Sequence, residues 1–459
     1  MNYITEKPKQ TQVRFETEVL VVGGGPSGIA AAVSAARTGA KTMLTERYGC
    51  FGGVISHVGI EGIAWYRHEG TVEAGGILKE FDDRAIKMGA CTPEPQSTSQ
   101  APDVEMFKFI ADDLVTGAGV IPLFHCFAVD AIVEDGKLKG VIFEGKSGRF
   151  AILAQVVIDC TGDADVAFRA GAGFMGPEVI AQMGGTPMTP VFNCKNVDTK
   201  RFKKYIYEEL KPTYSDWMKK GWNKNENTAI MSMFTPYLYK PFTDAIEAGE
   251  IQLEDGCKIN GTYSSIHDES GEVTQMNIIG IMGKSCTDPE DLTAAELKGR
   301  RHILKAMTAL RKHAPGFENA KIRNIGMTIG TRVSRIVNCK YRLTGEDVQN
   351  EARFEDSIGI FPEFLDGAGT LILPLTGRYY QLPYRCTVPA DIDNMLVAGR
   401  SICGDMISFG SYRNMGCCVA TGQGTGAAAA IAVKDKVSTR DVDIKKVQNA
   451  LIEQGVKVF

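Results

Sequence analysis

No two of the chain's 12 cysteines stand as Cys-x-x-Cys, so the usual spacing of zinc, iron–sulfur and thioredoxin-type sites is missing. Long apolar runs are missing too. No stretch reaches the ~20 residues a membrane-spanning helix needs, and the polar start at residues 1–10 is followed by no signal-like apolar segment. These absences lead us to expect reduced thiols in a cytoplasmic protein with no membrane partner. Charge of one sign is also scarce: a net −4 over 459 residues gives no reason to expect nucleic acid or an anionic surface. Low hydrophobicity, which would mean disorder, is absent: 44% of residues are hydrophobic and 23% charged, as in ordinary globular chains.

Glycine, by contrast, is abundant, with 50 residues in short clusters and no repeat, as expected of loops pressed against a ligand. The chain exceeds the roughly 250–300 residues at which one core stops growing, so two domains are expected. The apolar run Val19-Leu20-Val21-Val22 leads into Gly23-Gly24-Gly25-Pro26-Ser27-Gly28 and then a small-residue helical pattern closed by Gly39. A second strand follows at residues 41–45 and ends at Glu46. Gly23-x-Gly25-x-x-Gly28 between a strand and a helix has the form of a dinucleotide-binding turn. The first glycine permits the turn, the second lets a pyrophosphate approach the backbone, and the third packs helix on strand. Glu46, 21 residues after Gly25, stands where a carboxylate accepts ribose hydroxyls.

Two more strand-to-turn features follow. One is Val157-Ile158-Asp159-Cys160-Thr161-Gly162-Asp163, and the other is Leu396-Val397-Ala398-Gly399-Arg400. Helices are expected at 77–88 and 104–115, hairpin strands within 120–150, and a strand at 154–158. Gly422-Gln423-Gly424-Thr425-Gly426 leads into an alanine-rich helix, whose N-terminal dipole would face the pyrimidine end of a flavin. It lacks a preceding strand and is not read as a second dinucleotide turn. The adjacent Cys417 and Cys418 are read as helix residues facing different ways, with a vicinal disulfide as the less favoured alternative.

Together, the glycine unit, the segment from Glu46 to Gly53, the Ile158 to Ala167 turn, Arg332 to Asp347 and the closing Leu396 to Arg400 resemble the bacterial FAD-dependent oxidoreductases of the glutathione-reductase-like superfamily. The resemblance implies an α/β fold: a Rossmann-like FAD-binding domain formed by residues 1–174 and 381–459, with an inserted α+β substrate or cap domain at 175–380. It implies FAD as cofactor, with Gly23, Gly25, Pro26, Ser27, Gly28, Glu46, Arg47, Gly52, Gly53, Ala128, Gly162, Asp163, Gly399 and Arg400 among its contacts. Gly422, Gln423, Gly424 and Thr425 would lie near the flavin ring.

Cys50 and His57 depart from the bulky and small residues expected at those positions of the family. His57 suits a general acid or base, or a structural histidine. Cys50 suits a flavin tether or redox thiol if its pKa is lowered, or plain packing. Trp65, Tyr66, Arg67 and His68 continue the same loop as substrate-lining or interface residues. Arg413, ahead of the terminal helix, would hold a substrate carboxylate or stabilise a reduced flavin, unless it serves a structural ion pair. Arg332 and Arg335, read as strand residues three apart, would face opposite ways. Tyr379 and Tyr380 are weaker candidates.

The expected activity is hydride transfer between a small organic substrate and flavin N5, with an electron acceptor that the sequence does not name. An electron-transfer subunit of a larger redox complex and a non-catalytic binding protein are the alternatives. A homodimer is the default assembly, and no metal site is expected.

Overall fold

The computed structural model describes residues 4–5, 7–63, 72–93, 100–175, 187–210, 238–367, 370–372 and 377–459. Trp65, Tyr66, Arg67 and His68 lie outside the described residues. Strand β1 (Gln12–Val22), helix α1 (Pro26–Arg37) and strand β2 (Thr42–Thr45) form the N-terminal unit. The last four residues of β1 are buried, which is why they read as an unbroken apolar run: the strand lies inside the sheet with structure on both faces. Pro26 opens α1, where a missing N–H costs nothing, and Gly39 takes φ +104° just beyond its end.

The main sheet has seven strands. In spatial order they are Ile121–Leu123, β2, β1, Gly148–Asp159, Lys137–Gly145 and Phe127–Glu134, with Met395–Val397 added alongside the far end of Gly148–Asp159. β1 pairs in parallel with β2 and with Gly148–Asp159, and Met395–Val397 also joins in parallel. Phe127–Glu134 and Lys137–Gly145 form the antiparallel hairpin that the Asp135-Gly136 turn announced. The third hairpin strand and the buried strand expected at 154–158 are one continuous element, Gly148–Asp159. Its first half serves the hairpin and its second half the parallel sheet.

The register aligns the ends of three parallel strands. Val22 pairs with Asp159, and Val397 pairs with Asp159 from the other side. The turns at Gly23, Cys160 and Gly399 therefore emerge together at the carboxyl edge, where open α/β sheets bind ligands.

The middle region builds a second sheet from Cys257–Thr262, Glu272–Ile281, Phe192–Lys195 and Lys321–Ile325, with Ile266–His267 at its side. It is backed by the 25-residue helix Pro289–His313, whose Asp288 N-cap accepts from the Glu290 and Asp291 amides. This core runs from Met188 to Ile329. Ile336, Val337, Leu343, Ile358, Phe361 and Tyr380 pack instead into the core of the main sheet. The expected boundary at residue 380 is thus about fifty residues too late in packing terms, because the returning chain crosses into the first core soon after Ile329.

The helix Met415–Asp435 lies almost wholly within the protein. On length and composition it is apolar enough to cross a membrane, and 94% of that apolar window is buried against the rest of the chain. It starts seven residues before Gly422, earlier than the glycine cluster suggested.

Candidate functional site at the carboxyl edge of the main sheet

The glycines of the first turn are not equivalent. At Gly23, with φ +101°, an added Cβ would sit 2.5 Å from the Cys160 carbonyl oxygen, and at Gly28 it would overlap the Gly23 carbonyl. Gly24 is closed by the Phe51 ring. Gly25 alone faces space: a Cβ there would meet nothing nearer than the Gly53 Cα at 3.8 Å. Gly25 is also the N-cap of α1, whose first-turn amides have no intrahelical acceptors and favour an anion. The open position is where a pyrophosphate approaches in a dinucleotide turn. The cradle fits such a group.

The loop after β2 closes over this turn. The Gly52 amide donates to the Gly24 carbonyl at 2.8 Å, and a Cβ on Gly53, at φ +54°, would lie 2.7 Å from the Gly25 Cα. Gly53 therefore allows two backbones to meet, while Gly52, at φ +115°, makes room for the Ser56 side chain. Glu46 is buried and fixes the turn: its Oε2 accepts from the Gly24 amide at 2.8 Å and its Oε1 from the Tyr48 amide at 2.9 Å. The carboxylate retains lone pairs for further donors. The Glu46 carbonyl accepts from the Cys126 amide at 3.3 Å, and Ala128 follows, buried, near the start of Phe127–Glu134. Arg47 is exposed and lies over the Tyr48 ring at 4.7 Å.

The second and third turns lock on to each other. The Gly162 Cα faces the Arg400 guanidinium, 2.9 Å from the place of a Cβ. Arg400 donates to Asp163 Oδ1 at 2.7 Å and to Thr331 Oγ1 at 3.0 Å. Asp163 also accepts from Ser334 at 2.7 Å. Gly399 and Ser27 are in close contact, and the Gly399 amide donates to Thr421 at 3.1 Å. In these contacts Asp163, Arg400, Ser27 and Gly399 tie the two halves of the sheet edge together. The Arg400 Nε is buried with no partner among the described residues.

The model of the family described as FAD dependent oxidoreductase matches residues 18–451. The chain belongs to that family. Among curated proteins it is similar to the thiamine thiazole synthase of Sulfolobus acidocaldarius, 31% identical over 179 residues, covering 36% of this chain and 63% of that protein. The enzyme of the same name from Saccharolobus solfataricus matches at 31% over 179 residues, covering 36% and 62%. The chain thus spans slightly under two thirds of these relatives' length. Among solved structures it is similar to a geranylgeranyl bacteriochlorophyll reductase-like protein from Thermoplasma acidophilum, with TM-score 0.45 and 13% identity over 96% of this chain and 84% of that one. It is likewise similar to an anhydrotetracycline hydroxylase from Streptomyces rimosus, with TM-score 0.44 and 12% identity over 96% and 66%.

For a FAD-dependent oxidoreductase, the position of His57 matters. The single π-type turn Val54–Val58 carries it, with Gly53 before and Gly59 at φ +91° after. The ring is buried, lies 4.4 Å from the Tyr48 ring, and its Nε2 is 3.1 Å from the Cys50 carbonyl. A carbonyl only accepts, so Nε2 carries the proton and Nδ1 is left as the acceptor, with no hydrogen-bond partner among the described residues. Burial pulls the His57 pKa below its ordinary value, with Glu46 opposing, so the imidazole is neutral at pH 7. The Thr328 amide approaches the His57 carbonyl at 3.3 Å, placing the residue where the two cores meet.

Several residues singled out in the sequence are placed by the structure in roles other than the first one named for them. Gly422, Gln423, Gly424 and Thr425 are interior residues of the Met415–Asp435 helix and do not form a dipole-bearing turn. Gly422 abuts the Ser27 carbonyl, Gly424 abuts Ile358 and Gly426 abuts the Ala31 carbonyl; their smallness serves helix packing. Gln423 accepts from the Ile77 amide at 3.0 Å, and Thr425 donates to the Gly422 carbonyl at 2.9 Å. Cys50 has its thiol pKa raised, chiefly by burial with Lys108 opposing, the reverse of the activation a tether requires.

Arg413 sits in an ion pair, donating to Asp366 Oδ2 at 2.8 Å. Arg332 and Arg335 lie in irregular backbone, so strand alternation does not govern them. Arg335 pairs with Asp165 at 3.0 Å. Tyr380 is fully buried with its hydroxyl 2.8 Å from Ser411, and Tyr379 lies under Arg353 at 3.9 Å; neither faces the glycine turns. Cys417 and Cys418 are separate buried thiols. Asp366 and Lys258 were not singled out in the sequence. They carry no local signal, since each gains its neighbours only through the fold.

Proposed function

We propose that this chain binds FAD across the three aligned turns and transfers a hydride between a small organic substrate and flavin N5. The finer placement in the glutathione-reductase-like superfamily belongs to this proposal. The observation that carries it is the open face at Gly25, the one first-turn glycine whose missing side chain leaves space. Gly25, Gly53 and the first turn of α1 would hold the pyrophosphate, Glu46 the ribose hydroxyls, and the Gly162 and Gly399 turns the remainder. FAD, when bound, supplies the redox chemistry.

The chain supplies position and proton handling. Neutral His57, with Nδ1 free to accept, is the candidate base for the hydroxyl or amine proton released as a C–H bond is oxidised. Electrons would leave to oxygen, a quinone or a partner protein. Purified protein, precipitated under denaturing conditions, should release FAD into the supernatant, as the raised pKa of Cys50 supports noncovalent binding. Anaerobic addition of small alcohols, amines and hydroxy acids should bleach the flavin. A colourless protein that cannot be reconstituted with FAD, or a flavin bleached by no organic donor, would overturn the reading.

A further inference from the structure

The loop that carries His57 belongs by sequence to the first core, yet its backbone is held from the second. At one end, the Thr328 amide approaches the His57 carbonyl at 3.3 Å. A Cβ on Gly326 would overlap the Val58 carbonyl, so a glycine is what lets the segment after Lys321–Ile325 lie against the loop there. Glu296 of the helix Pro289–His313 fixes that segment, accepting from the Ile329 amide at 2.7 Å and from the Thr328 hydroxyl at 3.2 Å. Further along the loop, Oε1 of Gln275 accepts from the amides of Glu61 at 2.6 Å and Gly62 at 2.8 Å. Thr274 donates to Oε2 of the buried Glu61 at 2.7 Å.

Gln275 reaches the loop from a strained backbone. It sits in the strand Glu272–Ile281 where the pairing with Phe192–Lys195 slips between Val273 and Met276, and it takes φ +48°, which residues other than glycine rarely adopt. Such a bulge re-aims side chains. Val273 and Met276 both join the second core, and the two residues between them, Thr274 and Gln275, both reach Glu61. The Gln275 amide is satisfied by Asn193 Oδ1 at 2.8 Å, and Asn193 in turn donates to Asn324 Oδ1 at 3.2 Å. Both partners of the Gln275 side chain are N–H donors, which sets its oxygen toward the loop and fills that oxygen's two lone pairs. A strained residue persists where its surroundings over-determine it, and such residues concentrate at functional sites. Here the surroundings are the contacts that hold the His57 loop.

We propose that Gln275 is a positioning residue: through the amides of Glu61 and Gly62 it clasps the His57 loop to the middle sheet and so keeps the His57 ring beside Tyr48 and the Cys50 carbonyl. The ring's place is then set by the second core as much as by the first. The inference rests on the flavin reading for what His57 does there, and on the clasp alone for where His57 is held.

Hydrogen exchange at the Glu61 and Gly62 amides tests the clasp in the purified protein, with or without flavin. Gln275→Leu removes the acceptor and should speed that exchange about tenfold or more. Gln275→Glu keeps the reach and both acceptor positions, and should retain the protection. Histidine-labelled protein then reads the ring: the chain has six histidines, and comparison with His57→Asn identifies the signal of His57. Burial chiefly holds the His57 pKa below 6.5, with Glu46 opposing and Arg47 and Lys108 reinforcing. A loosened loop admits water, so Gln275→Leu should raise that pKa toward 6.5.

Gln275→Gly also loses the clasp but is free of strain at φ +48°, so it should be more stable than Gln275→Leu and still show the same His57 shift. A merely structural role predicts that the shift follows stability, larger in Gln275→Leu than in Gln275→Gly, and that result overturns the proposal. So does unchanged exchange at both amides, or an unmoved His57 titration, in Gln275→Leu. Should Gln275→Leu fail to fold, Gln275→Gly carries the same two readouts. Anaerobic flavin bleaching by glycolate, benzyl alcohol and benzylamine adds the link to chemistry: its saturating rate should fall about tenfold or more in Gln275→Leu, with donor affinity less affected. Flavin-free protein, or flavin that no donor bleaches, with the exchange and titration pattern present defeats the flavin reading and leaves the positioning role standing. Bleaching in the wild type without that pattern does the reverse.

Discussion

Two glycine clusters of nearly the same spacing behave in opposite ways. Gly23 to Gly28 make a turn at a strand end, and one of them, Gly25, opens on space; Gly422 to Gly426 lie inside a helix and are all closed by neighbouring atoms. The first cluster leaves open space at Gly25. The second removes side chains so that the Met415–Asp435 helix can press its backbone on α1, at Ser27 and Ala31. A glycine pattern thus reports close approach of something, and only the surroundings say whether that is a ligand or a helix. The two are also coupled, because Ser27 belongs to the first turn and touches the second cluster.

The largest effect that would break this contrast is on stability. Gly422→Ala and Gly426→Ala each place a methyl against a carbonyl of α1, and each should cost ~3 kcal/mol by overpacking, read as a lower denaturant midpoint. If either is neutral, the helix contact is looser than described. Glu46→Gln comes next: it weakens acceptance of two amides, those of Gly24 and Tyr48, and should cost ~1–3 kcal/mol. Denaturation followed with and without added FAD would separate its structural share from its cofactor share.

Gly25→Ala sharpens the contrast most directly, since its methyl enters open space. Stability of the FAD-free protein should move by no more than about 0.5 kcal/mol, while FAD affinity should fall about tenfold or more. Equal losses in both would make the two clusters alike after all.

A smaller effect concerns pH. The folded-state pKa of His57 lies below its ordinary 6.5, so the unfolded chain takes up the proton first as pH falls. The stability His57 contributes is full above 6.5 and is lost as pH drops through its lowered folded value. His57→Asn should flatten that fall, and also abolish the acid limb of the turnover profile if the side chain is the base. His302 is buried and shifted the same way, yet lies in the other core, so His302→Asn should affect the stability profile without touching the turnover profile. The smallest effect expected is that of Cys50→Ser, within about 0.5 kcal/mol and with flavin content unchanged. Loss of bound flavin in that variant would restore the tether.

The regular elements were legible from local pattern. The helix expected at 104–115 is Met106–Gly117, and that expected at 77–88 is Ile77–Lys87, because amphipathic spacing and caps are local properties. The βαβ unit was legible for the same reason: strand, glycine turn, helix and acid lie within one short stretch. Local pattern did not show the partners of single side chains. For Arg413 a substrate carboxylate and a structural ion pair stood as alternatives, because Asp366, 47 residues away, cannot be seen from its own segment. For Cys50 a tether or redox thiol and plain packing stood as alternatives, and burial, which raises its pKa, supports packing.

By itself, then, the sequence determined where backbone turns sharply, which runs are interior, and that a dinucleotide turn opens the chain, all of which follow from residue conformations and short-range periodicity. Only the tertiary structure decided which glycine faces open space and which a helix. It alone set three strand ends in register and paired Arg413 with Asp366. Burial and electrostatic coupling depend on distance in space, and residues far apart along the chain acquire that distance only when it folds.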